Sequence, residues 1–236
     1  MIKKELITRS PLRILEKSTQ GGVGNGNIGV ITARKGVGKT ACLVHIATDK
    51  LFQAKHVIHV SFADDTTHIV SWYEDIFQEI ARRYKLDNAM DIHDEITKNR
   101  VIMNFKQDNV TTEQVLKSIN SMIRDARFSA DLIMIDGYDF SKITKEELGC
   151  FKKFARELQV EIWFSTTLPR EKQFFDDNGF PVILKDFIDH ISILIHLEAK
   201  EDYVQLKLIK DHDQLPSKTL HLKLDPQILL IAEKKQ

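Results

Sequence analysis

The chain has 236 residues, enough for one large α/β domain with a sizeable core. Its 34 basic residues equal its 34 acidic ones, so net charge supplies no overall attraction to nucleic acid. No apolar run approaches the length of a membrane span, and the first residues lack the apolar stretch of a signal peptide. Cys42 and Cys150 show neither metal-ligand spacing nor a disulfide framework. We expect a cytoplasmic protein without membrane partners.

Apolar runs alternate with segments of helical periodicity as far as residue 197. The runs predict strands at residues 28–32, 56–62, 101–105, 131–136, 161–165 and 191–197. Helices are predicted from residues 11, 41, 66, 111 and 145, and Thr111 with Gln114 gives one of them a capping box. This alternation predicts an α/β fold, a mostly parallel sheet with helices on both faces.

The period changes near the C-terminus. Residues 204–209 and 220–224 alternate apolar and polar side chains, and with residues 228–231 they predict antiparallel strands that extend one edge of the sheet. The polar residues 85–100 predict an excursion outside the sheet. We divide the chain into an N-terminal segment, residues 1–20, and a single domain, residues 21–236.

Residues 33–40 have the pattern of a phosphate-binding loop between a predicted strand and a predicted helix. Gly38, Lys39 and Thr40 match its fixed positions, while Ala33 stands where the pattern begins with glycine. Lys39 supplies a charge for the β- and γ-phosphates, and the Thr40 hydroxyl supplies a Mg²⁺ ligand. The alternative is a glycine-rich turn that matches by chance. The predicted nucleotide contacts are Arg34, Lys35, Gly36, Val37, Gly38, Lys39, Thr40 and Ala41.

Two carboxylates follow predicted strands. Asp136 closes an apolar strand about a hundred residues after the loop, the position of the second acid in many nucleotide sites. Because parallel strands end at one edge of a sheet, we expect Asp136 beside Thr40, holding Mg²⁺ directly or through water. Asp64, with Asp65 beside it, can polarise the water that attacks the γ-phosphate. A strand-end cap and a plain acidic turn are the structural alternatives.

Two further segments offer candidates. Residues 165–170 follow the strand next to Asp136, where a hydroxyl can sense the γ-phosphate and Arg170 can pair with an acid or a phosphate. A Ser/Thr-rich turn explains any one of these residues equally well. Lys210 and His212 occupy alternate positions and are expected to point the same way, either into a neighbouring subunit's nucleotide or along a solvated strand edge.

The order of these parts resembles the RecA-like P-loop ATPases, with the KaiC proteins and the DnaB-type replicative helicases as the nearest branches. The resemblance spans residues 12–232, although only the phosphate loop is specific. It implies ATP and Mg²⁺ as ligands, with Lys39 and Thr40 on phosphate and metal and Asp136 as the second acid. It also places Asp64 at the catalytic Glu position, and Lys210 at a basic position that reaches across a subunit interface.

The chain departs from that family at several positions. Asp64 is one methylene shorter than Glu, His212 replaces an Arg and its permanent fork of donors, and Thr166 or Thr167 stands where the helicases carry Gln. The resemblance and these departures together predict a slowly hydrolysing, homo-oligomeric ATPase that acts as a switch or assembly module. The alternatives are a DNA-stimulated motor, a nucleotide-binding scaffold without catalysis, and a small-molecule kinase, each with a possible DNA or protein partner.

Overall fold

The computed structural model describes residues 2–63, 65–169, 174–214, 216, 220–228 and 230–234. The strands are β1 (Ile28–Ala33), β2 (Val57–Ser61), β3 (Arg100–Asn104), β4 (Leu132–Asp136), β5 (Glu161–Thr167), β6 (Ile193–Ala199), β7 (Val204–Asp211), β8 (Leu222–Leu224) and β9 (Ile231–Glu233). The α-helices are α1 (Ile2–Arg9), α2 (Leu12–Ser18), α3 (Lys39–Phe52), α4 (Thr67–Tyr84), α5 (Ala89–Lys98), α6 (Thr112–Arg124) and α7 (Lys145–Leu158). Short 3₁₀ helices lie at Gln107–Asn109, Phe140–Lys142 and Val182–His190.

These strands form one sheet in the order β3-β2-β4-β5-β1-β6-β7-β8-β9. The pairings from β3 through β6 are parallel, and those from β6 to β9 are antiparallel. The predicted parallel sheet with an antiparallel C-terminal extension is therefore confirmed. Strand β1, which leads into the phosphate loop, lies between β5 and β6 in the middle of the sheet.

The sheet buries side chains on both faces. Along β1, Ile31 belongs to a core shared with α1 to α5, whereas Val30 belongs to a second core shared with α6 and α7. Successive side chains of a strand point to opposite faces, so a strand covered on both sides must be apolar throughout. This explains the unbroken apolar run of Leu132, Ile133, Met134 and Ile135 in β4.

Local signals located several element boundaries. Helix α7 begins at Lys145, as predicted. Thr111 caps α6, because its hydroxyl accepts from the Gln114 N–H and its own N–H donates to the Gln114 side chain. Helix α5 lies in the polar stretch predicted to leave the sheet.

Two elements differ from the sequence prediction. Helix α1 has no strong sequence pattern, and Leu6 is buried in the core beside α3. The last strand begins at Ile231 rather than at residue 228, because a turn closed by the Asp225 N–H and the Leu230 carbonyl, 3.0 Å apart, comes first. Leu12 and Leu15 of α2 are buried in that same core, and the domain division at residue 20 stays a prediction. Within the described part of the chain, no helix is long and apolar enough to cross a membrane.

Candidate nucleotide-binding site

The phosphate loop lies at the carboxyl end of β1 and leads directly into α3. Gly36 and Gly38 have φ angles of +80° and +107°, a region that L side chains rarely adopt. A Cβ atom on Gly38 would also lie 2.5 Å from Cδ2 of Leu224. Position 38 therefore requires glycine both for its backbone and for the space beneath β8.

Lys39 is the buried cation of the loop, with 9% of its surface exposed. Its Nζ donates to the Arg34 carbonyl at 3.2 Å, which folds the side chain back over the loop. Burial lowers the pKa of Lys39, and the negative charge of Asp136 opposes that shift. An anion bound in the loop would give this ammonium group the charged partner that its main-chain acceptor does not provide.

Thr40, Asp136 and Ser165 form a connected hydrogen-bond network at the ends of three elements. The Thr40 hydroxyl donates to Oδ2 of Asp136 at 2.8 Å, and the Ser165 hydroxyl donates to Oδ1 at 2.5 Å. Ser165 in turn accepts from the Gly137 N–H at 2.9 Å. The fold thus brings Thr40 and Asp136 together as expected, and it assigns Ser165 the task of orienting the Asp136 carboxylate.

The Thr40 and Asp136 side chains offer hydroxyl and carboxylate oxygens, the donors that Mg²⁺ prefers. Among the described residues, no group of three or more His, Cys, Asp or Glu side chains is placed to hold a metal ion. Mg²⁺ commonly takes one or two protein ligands and completes its shell with water and substrate phosphates. The two residues therefore fit a cation that arrives with a nucleotide.

A cleft of about 440 Å³ opens beside the loop, within the size range of small-molecule sites. It is lined by Lys35, Gly36, Val37, Gly38, Lys39, Thr40, Ala41, Phe62, Ala63, His68, Trp72, Asp136, Gly137, Ser165, Thr167, Leu224 and Pro226. Seven of the eight predicted loop contacts line this cleft. The exception is Arg34, whose guanidinium lies 4.6 Å from the Phe174 ring centre and which lines a neighbouring cleft.

The acidic turn after β2 is described in part. Asp64 lies outside the described residues, so its assignment as the base stays a prediction. Oδ1 of Asp65 accepts from the Thr67 N–H at 2.9 Å and from the Thr67 hydroxyl at 2.7 Å. These hydrogen bonds lower the pKa of Asp65. Asp65 is therefore engaged at the start of α4.

The hydroxyl residues at the end of β5 have different environments. Thr166 is buried within the sheet opposite Thr32 of β1, whereas Thr167 is exposed and lines the cleft. Of these two threonines, Thr167 is thus the one placed to meet a ligand. Arg170 lies outside the described residues.

Lys210 lies toward the other end of the sheet. Its Nζ donates to the Ile191 carbonyl at 2.6 Å and to the His212 carbonyl. The six residues of β1 separate that end from the phosphate loop by roughly 20 Å, at about 3.3 Å per residue. Strand β7 ends at Asp211 and His212 has a φ of +52°, so the expectation that strand alternation points Lys210 and His212 the same way does not hold.

Several lining residues gave no functional signal in the sequence. Helical periodicity assigns Trp72 to the apolar face of α4, yet its side chain is only partly buried and lines the cleft beside His68. Leu224 and Pro226 come from the C-terminal strands, far along the chain from the loop. Only their position in the folded chain brings them to the site.

No family model matches the chain, and no curated protein matches it. Among solved structures, the chain is similar to the ATPase domain of a DnaB-like helicase, with a TM-score of 0.68 at 17% sequence identity. The match covers 95% of this chain and 90% of that one. With the observed strand order, it shows that the chain has the RecA-like α/β fold indicated by its sequence.

Proposed function

We propose that this RecA-like domain binds ATP with Mg²⁺ at the phosphate loop and hydrolyses it slowly, as a nucleotide-dependent switch or assembly module. The observation that carries the proposal is the placement of Lys39, Thr40 and Asp136 around one cleft, with the Thr40 hydroxyl 2.8 Å from the Asp136 carboxylate. Likeness to the helicase ATPase domain supports it. Fold alone hosts many functions, so the site is the stronger argument.

Each loop residue has a physical role in this proposal. Backbone N–H groups of the loop and the first turn of α3 bind the phosphates, and Lys39 adds a positive charge. Thr40 and Asp136 hold Mg²⁺, which neutralises charge on the β- and γ-phosphates when it is bound. Ser165 keeps the Asp136 carboxylate in place, and Asp64 polarises the attacking water.

Slow turnover and assembly follow from the residues near the two ends of the sheet. The Asp64 side chain is shorter than the Glu that the resemblance implies, and His212 offers no permanent charge. Lys210 lies too far from its own phosphate loop to reach it, so it would act on the nucleotide of a neighbour. Head-to-tail contacts of this kind build a ring or a short filament of identical subunits.

The decisive experiment measures ATPase rate with and without single-stranded DNA, together with mass in solution with and without ATP and Mg²⁺. We expect slow turnover that DNA does not stimulate, and a larger mass with ATP. Stimulation by DNA would instead identify a motor. Tight ATP binding without turnover would identify a scaffold, and no ATP binding at all would contradict the proposal.

A further inference from the structure

One polar pair in the nucleotide cleft has no part in the roles proposed above. His68 and Trp72 lie one turn apart at the start of α4. The Trp72 indole N–H donates to Nε2 of His68 at 2.7 Å, and the two rings meet edge to face with centres 5.4 Å apart. Both side chains line the cleft that also contains Lys39 and Asp136.

The hydrogen bond between them selects the form of the imidazole. An indole N–H can only donate, so the His68 nitrogen that receives it carries no proton. The neutral ring then holds its proton on Nδ1, and the second nitrogen is able to donate to a ligand. His68 is exposed whereas Trp72 is partly buried, so the indole is the fixed partner and the imidazole is the accessible one.

The pair lies on the Asp136 side of the cleft. In the sheet, Ser61 of β2 is directly opposite Asp136, and the Phe62 N–H donates to the Asp136 carbonyl at 3.0 Å. Helix α4 starts six residues after the end of β2, so its first turns follow directly from this contact. Thr40 also contacts Asp136, which marks this side as the one that receives the metal and the terminal phosphate. Leu224 and Pro226 contribute apolar lining from the C-terminal strands.

We propose that His68 donates from Nδ1 to an oxygen of the terminal phosphate of a nucleoside triphosphate in this cleft, and that Trp72 is its positioning residue. The inference rests on the proposed nucleotide-binding function and deepens it. A donor directed at the third phosphate favours triphosphate over diphosphate, because a diphosphate lacks the oxygen that accepts it. The chain would thereby read its nucleotide state within one subunit.

The test compares the affinities of a non-hydrolysable ATP analogue, adenylyl imidodiphosphate, and of ADP, both with Mg²⁺, by calorimetric titration of the full chain. We expect His68→Leu to weaken analogue binding about tenfold and to leave ADP binding within about twofold, the scale of one charge-assisted hydrogen bond. Gln78→Leu is the matched control, an exposed residue on the same helix, and it should change neither affinity.

Two conservative variants separate this role from a structural one. His68→Asn should retain most of the analogue affinity, because an Asn side-chain N–H falls near the place of the imidazole Nδ1. Trp72→Phe keeps a ring but loses the donor, and should weaken only the analogue, by less than His68→Leu does. Thermal unfolding of each variant confirms that the fold is retained.

Equal losses for analogue and ADP in His68→Leu, or no loss for either, would overturn the role of His68. Failure of His68→Asn to recover analogue affinity would do the same. The proposed function is tested separately by the parent chain and by Lys39→Ala. If the parent binds neither nucleotide, or if Lys39→Ala binds as well as the parent, the phosphate-loop assignment itself fails.

Discussion

The two ends of the parallel part of the sheet hold buried lysines in different ways. At the carboxyl end, Lys39 lies in the phosphate loop with the charge of Asp136 nearby. Toward the amino end, Nζ of Lys152 donates to Oδ1 of Asn27 at 2.6 Å and to the Ser192 hydroxyl at 3.3 Å, and Lys210 is held by main-chain carbonyls. Within the described residues, neither Lys152 nor Lys210 forms an ion pair with a carboxylate at 4 Å or less.

This difference shows how position decides what a buried lysine can do. Burial, together with the positive charges of Arg156 and Lys210, lowers the pKa of Lys152 to about 8 against the opposing charge of Asp213. The amino end thus holds positive charge without a bound acid, whereas the carboxyl end combines a cation with a carboxylate and a metal-binding hydroxyl. The carboxyl end suits a nucleotide bound by the same subunit, and the amino end suits an anion presented by another molecule.

Removing the carboxyl-end lysine should have the largest effect. We expect Lys39→Ala to weaken ATP–Mg²⁺ binding on the order of 100-fold, because the phosphates lose a charged partner. Thermal unfolding should change little, since the only polar contact of Nζ among the described residues is the Arg34 carbonyl. Calorimetric titration measures the affinity. Arg34→Ala is the control, and because Arg34 lines the neighbouring cleft, a comparable loss there would count against the assignment of Lys39.

The acidic turn at the same end gives the second prediction. Asp64→Asn should lower the ATPase rate about 10²-fold with little change in ATP affinity, the usual scale for a general base. Asp65→Asn should have a small effect on rate, because its carboxylate is already bonded to Thr67. Steady-state rates and titrations of both variants check this. A rate loss in Asp65→Asn alone would transfer the role to Asp65.

The amino end should affect turnover rather than affinity. We expect Lys210→Ala to lower the ATPase rate about tenfold while ATP affinity stays within about twofold, because its ammonium group would act on a neighbour's phosphate. Mixing this variant with Lys39→Ala should restore part of the activity. Lys207→Ala, which removes an exposed lysine paired with Glu198 on the same strand, is the control. A monomer in sedimentation at high concentration with ATP and Mg²⁺ would contradict this arrangement.

The smallest expected effect concerns the stability of the amino end. The pKa of Lys152 is lowered from 10.5 to about 8 in the folded chain, so the unfolded chain binds more protons between these values. The free energy of unfolding should therefore gain a contribution as pH rises from about 8 to 10.5, and lose it as pH falls back. At about 1.4 kcal/mol per pKa unit, reduced by solvent screening of the ammonium group, the change is on the order of 2 kcal/mol.

Denaturant unfolding at pH 8 and pH 10 measures this contribution. Lys152→Met should flatten the pH dependence relative to the parent chain, whereas Lys153→Met, the exposed neighbour on α7, should not. The difference between the two variants isolates Lys152 from other groups that titrate in this range. Parallel curves for Lys152→Met and the parent would show that Lys152 is not destabilised by its burial.

The sequence by itself determined those features that short stretches of chain control. A strand, a glycine-rich loop and a helix in succession specify the local backbone of the phosphate loop, and Thr111 caps α6 through residues three positions apart. The position of Asp136 beside Thr40 was also predictable, because parallel strands end at a common edge. The alternation of strands and helices, followed by period-two strands, was enough for the fold class.

Only the tertiary structure decided which side chains from distant segments meet. Ser165 is 29 positions from Asp136 and bonds to it because β4 and β5 are neighbours, and Leu224 lies over Gly38 because β8 folds back to the loop. Trp72 has the spacing of a core residue, and only the packed helix shows its indole at the cleft beside His68. Local periodicity reports which side of an element is apolar, but contacts between segments depend on strand order and register, which no single segment encodes.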